Sequence, residues 1–252
     1  MKRDIAVVIP VHKEYLSPEE KISLKQVCRI LKYRDKFLIV PERISVENYL
    51  QLSDELQIIR IPDFWLDSIE NYNKYKLSHF FYHQFRKYKF ILTYELDSFI
   101  FRDDLDYWIN LNYDYIGAPW FEGFNTISTE KFFGVGNSGF SLRKTSSIRD
   151  ALRKYFMESS GSSAIFKFNR NHDKLLFSQE IGFEDWFISN RLKRYLNIAT
   201  TQDALKFSFE FQPEVLYELN NNTLPTGCHA WARYNKEFWI PFINQYGYKL
   251  ND

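Results

Sequence analysis

Residues 5–11, "IAVVIPV", form an unbroken apolar and mostly β-branched run. A strand with one wet face alternates polar with apolar, whereas a continuous run is buried on both faces, as in the middle of a parallel sheet. A parallel neighbour has to be reached by a crossover, usually a helix. "SPEEKISLKQVCRILKYR" supplies one: Ser17 is the expected N-cap, Pro18 the first helical position and Glu20 the partner in a capping box, with Ile22, Val27, Ile30 and Leu31 as the apolar stripe. "KFLIVPE", residues 36–42, follows as a second strand, so the chain begins as strand, helix, strand.

The pattern continues. "LQIIRIP" at 56–62 predicts a third strand, and residues 68–88 predict one long helix with Tyr72, Tyr75, Phe80 and His83 on roughly one face. "FILTYEL" is the next strand, and "YDYIGAPW" at 113–120 another. "FFGVGNSGFSLRK" at 132–144 combines a glycine-rich turn with a strand, and 146–156 predicts a helix with a Ser N-cap. The polar stretch 157–178 predicts a loop, and "EDWFISNRLKRYL" at 184–196 a helix with acids in its first turn and bases in its last, matching the helix dipole. The segment beyond 196 carries no clear pattern. A length of 252 residues without a domain-sized apolar gap fits a single α/β domain over 1–252: a mainly parallel, twisted sheet flanked by helices.

Several function classes drop out. Lys and Arg number 33 against 32 Asp and Glu, a net charge of +1, which leaves no electrostatic footprint for nucleic acid. Cys28 and Cys228 are too few for a disulfide framework or a zinc site and fit a reducing, cytoplasmic setting. The apolar run near the N-terminus is too short for a signal segment or a membrane span, which leaves only peripheral contact with the inner membrane face. "HFFYH", with His79 and His83, lacks the glutamate of a zinc hydrolase; "GVGNSG" does not open a dinucleotide-binding helix; no GxSxG elbow is present.

"YELDSFIF", residues 94–101, places Glu95 and Asp97 inside an otherwise buried pattern. A charge sunk in hydrocarbon costs several kcal/mol unless paired. At the C-terminal end of a strand the same pair would face the crevice where open α/β sheets bind ligands. Carboxylates at i and i+2 on an extended segment point the same way and could share a hard divalent ion, Mg2+ or Mn2+, with phosphate oxygens completing its shell.

Taken in order, "VVIPVHKEYLSPEEKISL", "ILTYELDSFIFRDDLDYW", "YDYIGAPWF", "GVGNSGFSLRK", "FEDWF" and "GCHAW" resemble a family of bacterial glycosyltransferases with the GT-A nucleotide-diphospho-sugar transferase fold. The resemblance runs from the first strand nearly to the C-terminus and implies a nucleotide-binding half over 1–110 and a donor-sugar and acceptor half over 111–252. It implies that Pro10, Val11, His12 and Lys13 border the nucleotide, and that Asp97 holds the last position of a DxD-like metal motif whose first position is Glu95 in place of Asp. Gly136, Asn137, Ser138 and Gly139 resemble a turn lying under the donor sugar, with Ser138 replacing a glycine; for Gly139 alone, a strand-entry turn needing positive φ explains the residue equally well. Glu184 or Asp185, by similarity Asp185 first, would be the general base, although acids in a first helical turn also simply serve the dipole. His229 would complete the metal shell and favour Mn2+ over Mg2+, with a packed, hydrogen-bonded histidine as the alternative. Trp120 and Trp231 offer sugar-stacking faces, with core packing as the equal alternative.

The expectation is therefore a metal-dependent, inverting glycosyltransferase that moves a sugar from a nucleotide-diphosphate donor, a UDP-sugar first, to a glycan or glycoprotein hydroxyl in surface-polysaccharide or glycoprotein assembly. Its rivals are a non-catalytic carbohydrate-binding or scaffold protein on the same fold and a nucleotidyltransferase.

Overall fold

A computed structural model describes residues 4–123, 131–159 and 181–250. Its centre is a six-stranded sheet in the order β3-β2-β1-β4-β9-β6, formed by β1 (Ile5–Pro10), β2 (Asp35–Pro41), β3 (Leu56–Ile61), β4 (Phe90–Tyr94), β6 (Tyr115–Ile116) and β9 (Phe140–Lys144). The first four pair in parallel, while β9 runs antiparallel to both β4 and β6. Every residue of β2 and β4 is buried, as is β1 from Ile5 to Ile9, in keeping with a sheet covered on both faces. Two apolar clusters fill the two sides, one around Val7, Leu24 and Leu92, the other around Val8, Phe81 and Ile188.

Helix α1 (Pro18–Ile30) is the first crossover, and its capping box is complete: Ser17 Oγ accepts from the Glu20 amide while Glu20 accepts from the Ser17 amide. A short helix α2 (Glu47–Leu50) leads to β3. The single helix expected over 68–88 is two, α3 (Ile69–Lys76) and α4 (His79–Gln84). Ser78 divides them: its hydroxyl donates to the Tyr75 carbonyl at 2.7 Å and accepts from the Phe81 amide at 3.0 Å, so it ends one helix and caps the next.

The strand expected over 113–120 is likewise two. β6 ends at Ile116, and β7 (Ala118–Phe121) leaves for a separate two-stranded ribbon with β8 (Phe132–Gly136). The break falls at Gly117, where a Cβ would overlap the Gly136 carbonyl. Between β4 and β6 in sequence lie β5 (Phe99–Ile100) and α5 (Leu105–Asn110), and α6 (Thr145–Ser159) follows β9. Because α6 begins at Thr145, the serines expected to cap it lie in its first turn. From 160 on, the loop expected over 157–178 lies outside the described residues.

The helix expected over 184–196 has three parts: one α-helical turn at Glu184–Trp186, a π-helical stretch at Phe187–Arg191 and a 3-10 turn at Lys193–Tyr195. The unassigned C-terminal segment adds β10 (Ser208–Phe209) and β11 (Gly227–Cys228), which join β5 in a three-stranded sheet over a third apolar cluster around Phe99, Trp231 and Trp239.

Candidate active site

Strand order fixes where a cleft can open. β1, β2 and β3 build outward in one direction and β4 lies on the other side of β1, so the chain leaving β1 and the chain leaving β4 diverge at a topological switch point. A cleft of about 450 Å3 lies there. Pro10 to Lys13 form one wall, Leu66 to Ile69 with Tyr72 another, and Glu95, Leu96 and Asp97 line it as well. Val11 is buried, its amide still donating to Ile39, whereas His12 and Lys13 are exposed. Lys13 is braced by an ion pair to Glu20 at 2.9 Å and by the Tyr49 hydroxyl, which donates to its carbonyl at 2.6 Å.

β4 stops at Tyr94, so Glu95 and Asp97 stand in the turn just beyond the strand. That turn is tightly held: the Glu95 amide donates to the Gly139 carbonyl and the Ser98 amide to the Glu95 carbonyl, both at 2.8 Å, while the Trp231 amide donates to the Asp97 carbonyl at 3.2 Å. One ligand atom each from Glu95, Asp97 and His229 falls within 4.8 Å of the others. His229 Nε2 lies 3.2 Å from Asp97 Oδ1 and 3.6 Å from Glu95 Oε2, yet it is buried and makes no hydrogen bond. A buried ring nitrogen without a hydrogen bond, facing two carboxylate oxygens, is the donor set a divalent cation takes. Burial works against the charge on Glu95, but the Lys76 ammonium leads the groups that outweigh it, and the carboxyl is held well below the usual carboxylate range.

Lys76, at the end of α3, carries no signal in the sequence that marks it for the site. Its side chain is 3% exposed, and its ammonium lies 3.4 Å from Glu95, 3.5 Å from Glu184, within hydrogen-bonding contact of Ser138 Oγ and 3.8 Å from the centre of the Tyr72 ring. Tyr72 in turn donates to Glu95 Oε1 at 2.7 Å. Glu184 is fully buried against Arg143 of β9, and its amide is capped by Asn73 at 2.8 Å. Asp185, next along, is part-exposed and accepts from the amides of Asn137 at 3.1 Å and Trp186 at 2.8 Å. Burial, then the charges of Glu184 and Glu210, raise its carboxyl from 3.8 to about 6.

The turn at 136–139 runs between Asp185 and the group of Glu95, Asp97 and His229, touching the first through Asn137 and the second through Gly139. Its two glycines admit rings: a Cβ at Gly136 would overlap Trp120, and one at Gly139 would overlap His229. The positive φ in this turn belongs to Asn137, at 73°, and not to Gly139. Asn137 is 1% exposed, and its side chain is committed inward, accepting from the Gly139 amide at 3.0 Å and donating to Ser208. Trp231 is completely buried, with its indole N–H on Ser23 at 3.1 Å, so core packing is its observed role; Trp120 lies beneath the glycine turn, stacked on Phe133 at 5.6 Å.

Glu210 joins the site from a stretch without a clear pattern of its own, although "SFEF" at 208–211 carries the same signal as "YELDSFIF", an acid inside an apolar alternation. Its carboxylate lies 2.8 Å from His229 Nδ1.

The fold with this cleft is that of the GT-A glycosyltransferases. The apo-form glycosyltransferase GlyE of Streptococcus pneumoniae TIGR4 aligns with a TM-score of 0.50 and 14% identity over 94% of this chain and 59% of its own. The galactosyltransferase LgtC, solved with donor and acceptor sugar analogues, aligns with a TM-score of 0.51 and 12% identity over 95% of each chain. The bifunctional glycosyltransferase WbbM, in its apo structure, gives 0.50 and 11% over 91% of this chain and 46% of its own. The chain thus spans about 59% of the length of GlyE. No curated protein matches it by sequence. The chain belongs to the family described as "Protein of unknown function (DUF5672)", whose model matches residues 55–229, a span from β3 to His229 that includes Glu95, Asp97 and Asp185.

Proposed function

We propose that this chain is a divalent-cation-dependent glycosyltransferase that moves a sugar from a nucleotide-diphosphate donor to a glycan or glycoconjugate hydroxyl. The observation that carries the proposal is the convergence of Glu95, Asp97 and His229 at the C-terminal end of β4, beside a cleft at the switch point of the sheet. The likeness of the fold to GlyE and LgtC supports it. A cleft of about 450 Å3 falls within the range of ligand sites, roughly 300–1,000 Å3.

The residues divide the work. Pro10 to Lys13 and Leu66 to Tyr72 enclose the nucleotide, with a UDP-sugar the first donor to try. Glu95, Asp97 and His229 hold the cation, Mn2+ or Mg2+, which when bound neutralises charge on the departing nucleoside diphosphate. Asp185 takes the proton of the acceptor hydroxyl; a base poised near 6 is ionised at neutral pH yet still basic enough to accept a proton. Glu184, sealed against Arg143 and Lys76, holds the start of that helix in place and leaves the base role to Asp185. Attack by a hydroxyl activated at Asp185 in a single displacement inverts the anomeric centre, and a retained product seen by NMR would remove Asp185 from the role.

The test is titration calorimetry with a panel of nucleotide-sugars, with and without Mn2+, followed by product analysis. Cation-dependent donor binding and release of nucleoside diphosphate are expected. Release of pyrophosphate would make the chain a nucleotidyltransferase, and sugar binding without turnover would make it a binding protein. Among the described residues no helix is long and apolar enough to cross a membrane, and peripheral membrane contact remains part of the proposal only through the acceptor.

A further inference from the structure

We infer that Glu210 is the positioning residue that makes His229 a cation ligand, an inference that rests on the cation site proposed above. β10 and β11 pair in parallel with Phe209 opposite Cys228, and the His229 amide donates to the Phe209 carbonyl at 2.9 Å. Glu210 and His229 are the residues that follow this pair on neighbouring strands, so their contact is set by the register of the sheet.

An imidazole can offer a lone pair to a metal at one nitrogen only when its proton sits on the other. With Asp97 Oδ1 at 3.2 Å, a ring free to choose would keep a proton on Nε2, facing the site, and would be lost as a ligand. Glu210 supplies the competing acceptor at Nδ1, 2.8 Å away on the far side of the ring. The proton held there leaves the Nε2 lone pair toward Glu95 and Asp97, and Nε2 is the buried nitrogen that lacks a hydrogen bond. Gly139 fixes the plane of the ring, since a Cβ there would overlap it. Glu210 is not itself one of the ligands: the three converging donors are Glu95, Asp97 and His229, and its own oxygen lies behind the imidazole. Carboxylate partners of this kind orient metal-binding histidines, and their loss typically weakens metal affinity by about 10–100-fold.

The experiment is a Mn2+ binding isotherm by EPR, without donor or acceptor, on the wild-type protein and on Glu210→Ala, Glu210→Gln and His229→Ala. Thermal melts of the metal-free proteins report on folding. Glu210→Ala is expected to bind Mn2+ about 10–100-fold more weakly. Glu210→Gln, whose amide oxygen still accepts from Nδ1, is expected to recover part of that loss, which a purely structural role would not predict; it also decides the matter if the alanine variant melts early. Wild-type affinity in Glu210→Ala, or Glu210→Gln binding no better than Glu210→Ala, would overturn the inference. If the wild-type protein binds no Mn2+, or His229→Ala binds as well as wild type, the cation site itself fails first.

Discussion

Asp185→Asn should make the protein more stable at pH 8 while removing its activity. Burial, Glu184 and Glu210 oppose the charge on Asp185, and together they outweigh the pull of Lys76 and the Trp186 amide. Moving the carboxyl from 3.8 to about 6 corresponds to about 3 kcal/mol of penalty on the ionised form. The sign follows from proton binding: between those two values the folded state holds the proton more tightly than the unfolded chain, so stability falls as pH rises through the window and stays lower above it. The neutral amide escapes the penalty. It has one acceptor oxygen where the carboxylate offers two, to the amides of Asn137 and Trp186, so it forfeits one hydrogen bond worth about 1 kcal/mol. The net gain at pH 8 is about 2 kcal/mol, read as a higher midpoint in urea. At pH 4 the wild-type carboxyl is itself neutral in the fold and the difference should close. Equal or lower stability of Asp185→Asn at pH 8, or a gain that persists at pH 4, would refute the assignment of a charge-penalised carboxyl to this position.

In the wild-type protein kcat should rise with pH through about 6 as Asp185 ionises, and Asp185→Asn should lower kcat by roughly 10²–10⁴-fold across the range, measured by nucleoside diphosphate release. Lys76→Met leaves the buried Glu184 with Arg143 alone and should cost about 3 kcal/mol in urea unfolding, whereas an unchanged midpoint would show that the ammonium contributes nothing there. Gly139→Ala should displace the His229 ring and weaken Mn2+ binding, measured by EPR; Gly136→Ala should push on Trp120 instead and cost about 1–3 kcal/mol with little change in cation affinity.

What the sequence declares most clearly is what neighbouring residues settle among themselves. The capping box at Ser17 and Glu20 and the doubly buried strands β1, β2 and β4 need only local pattern and hydrophobicity. Breaks set by a single residue are harder to read. Ser78 competes for backbone hydrogen bonds in the middle of a helical pattern, and Gly117 breaks a strand because a distant carbonyl passes over it. The π-helical stretch at Phe187–Arg191 depends on tertiary partners as well, with Ser189 donating to the Val135 carbonyl of β8. At the site, the acids after β4 announce themselves by sitting in an apolar run, whereas Lys76 and Arg143 look like ordinary helix-end and strand bases until their partners, 19 to 108 residues away, are folded against them.

Two departures from the motif that the sequence resembles, Glu95 for an aspartate and Ser138 for a glycine, meet in space at Lys76. The extra methylene of Glu95 lets one carboxylate oxygen reach back to Tyr72 and Lys76 while the other still faces His229. The Ser138 hydroxyl accepts from the same ammonium, tying the glycine turn to Glu95. A buried lysine needs such partners, because an unpaired ammonium in this position would be expelled or neutralised. Each change therefore supplies what another requires, and the same ammonium reaches Glu184 at the base of the helix that carries Asp185. The two departures are thus matched through a single ammonium that joins α3, the turn after β4 and the turn before β9, and removing any one of the three partners leaves the other two with an unmet charge or hydrogen bond.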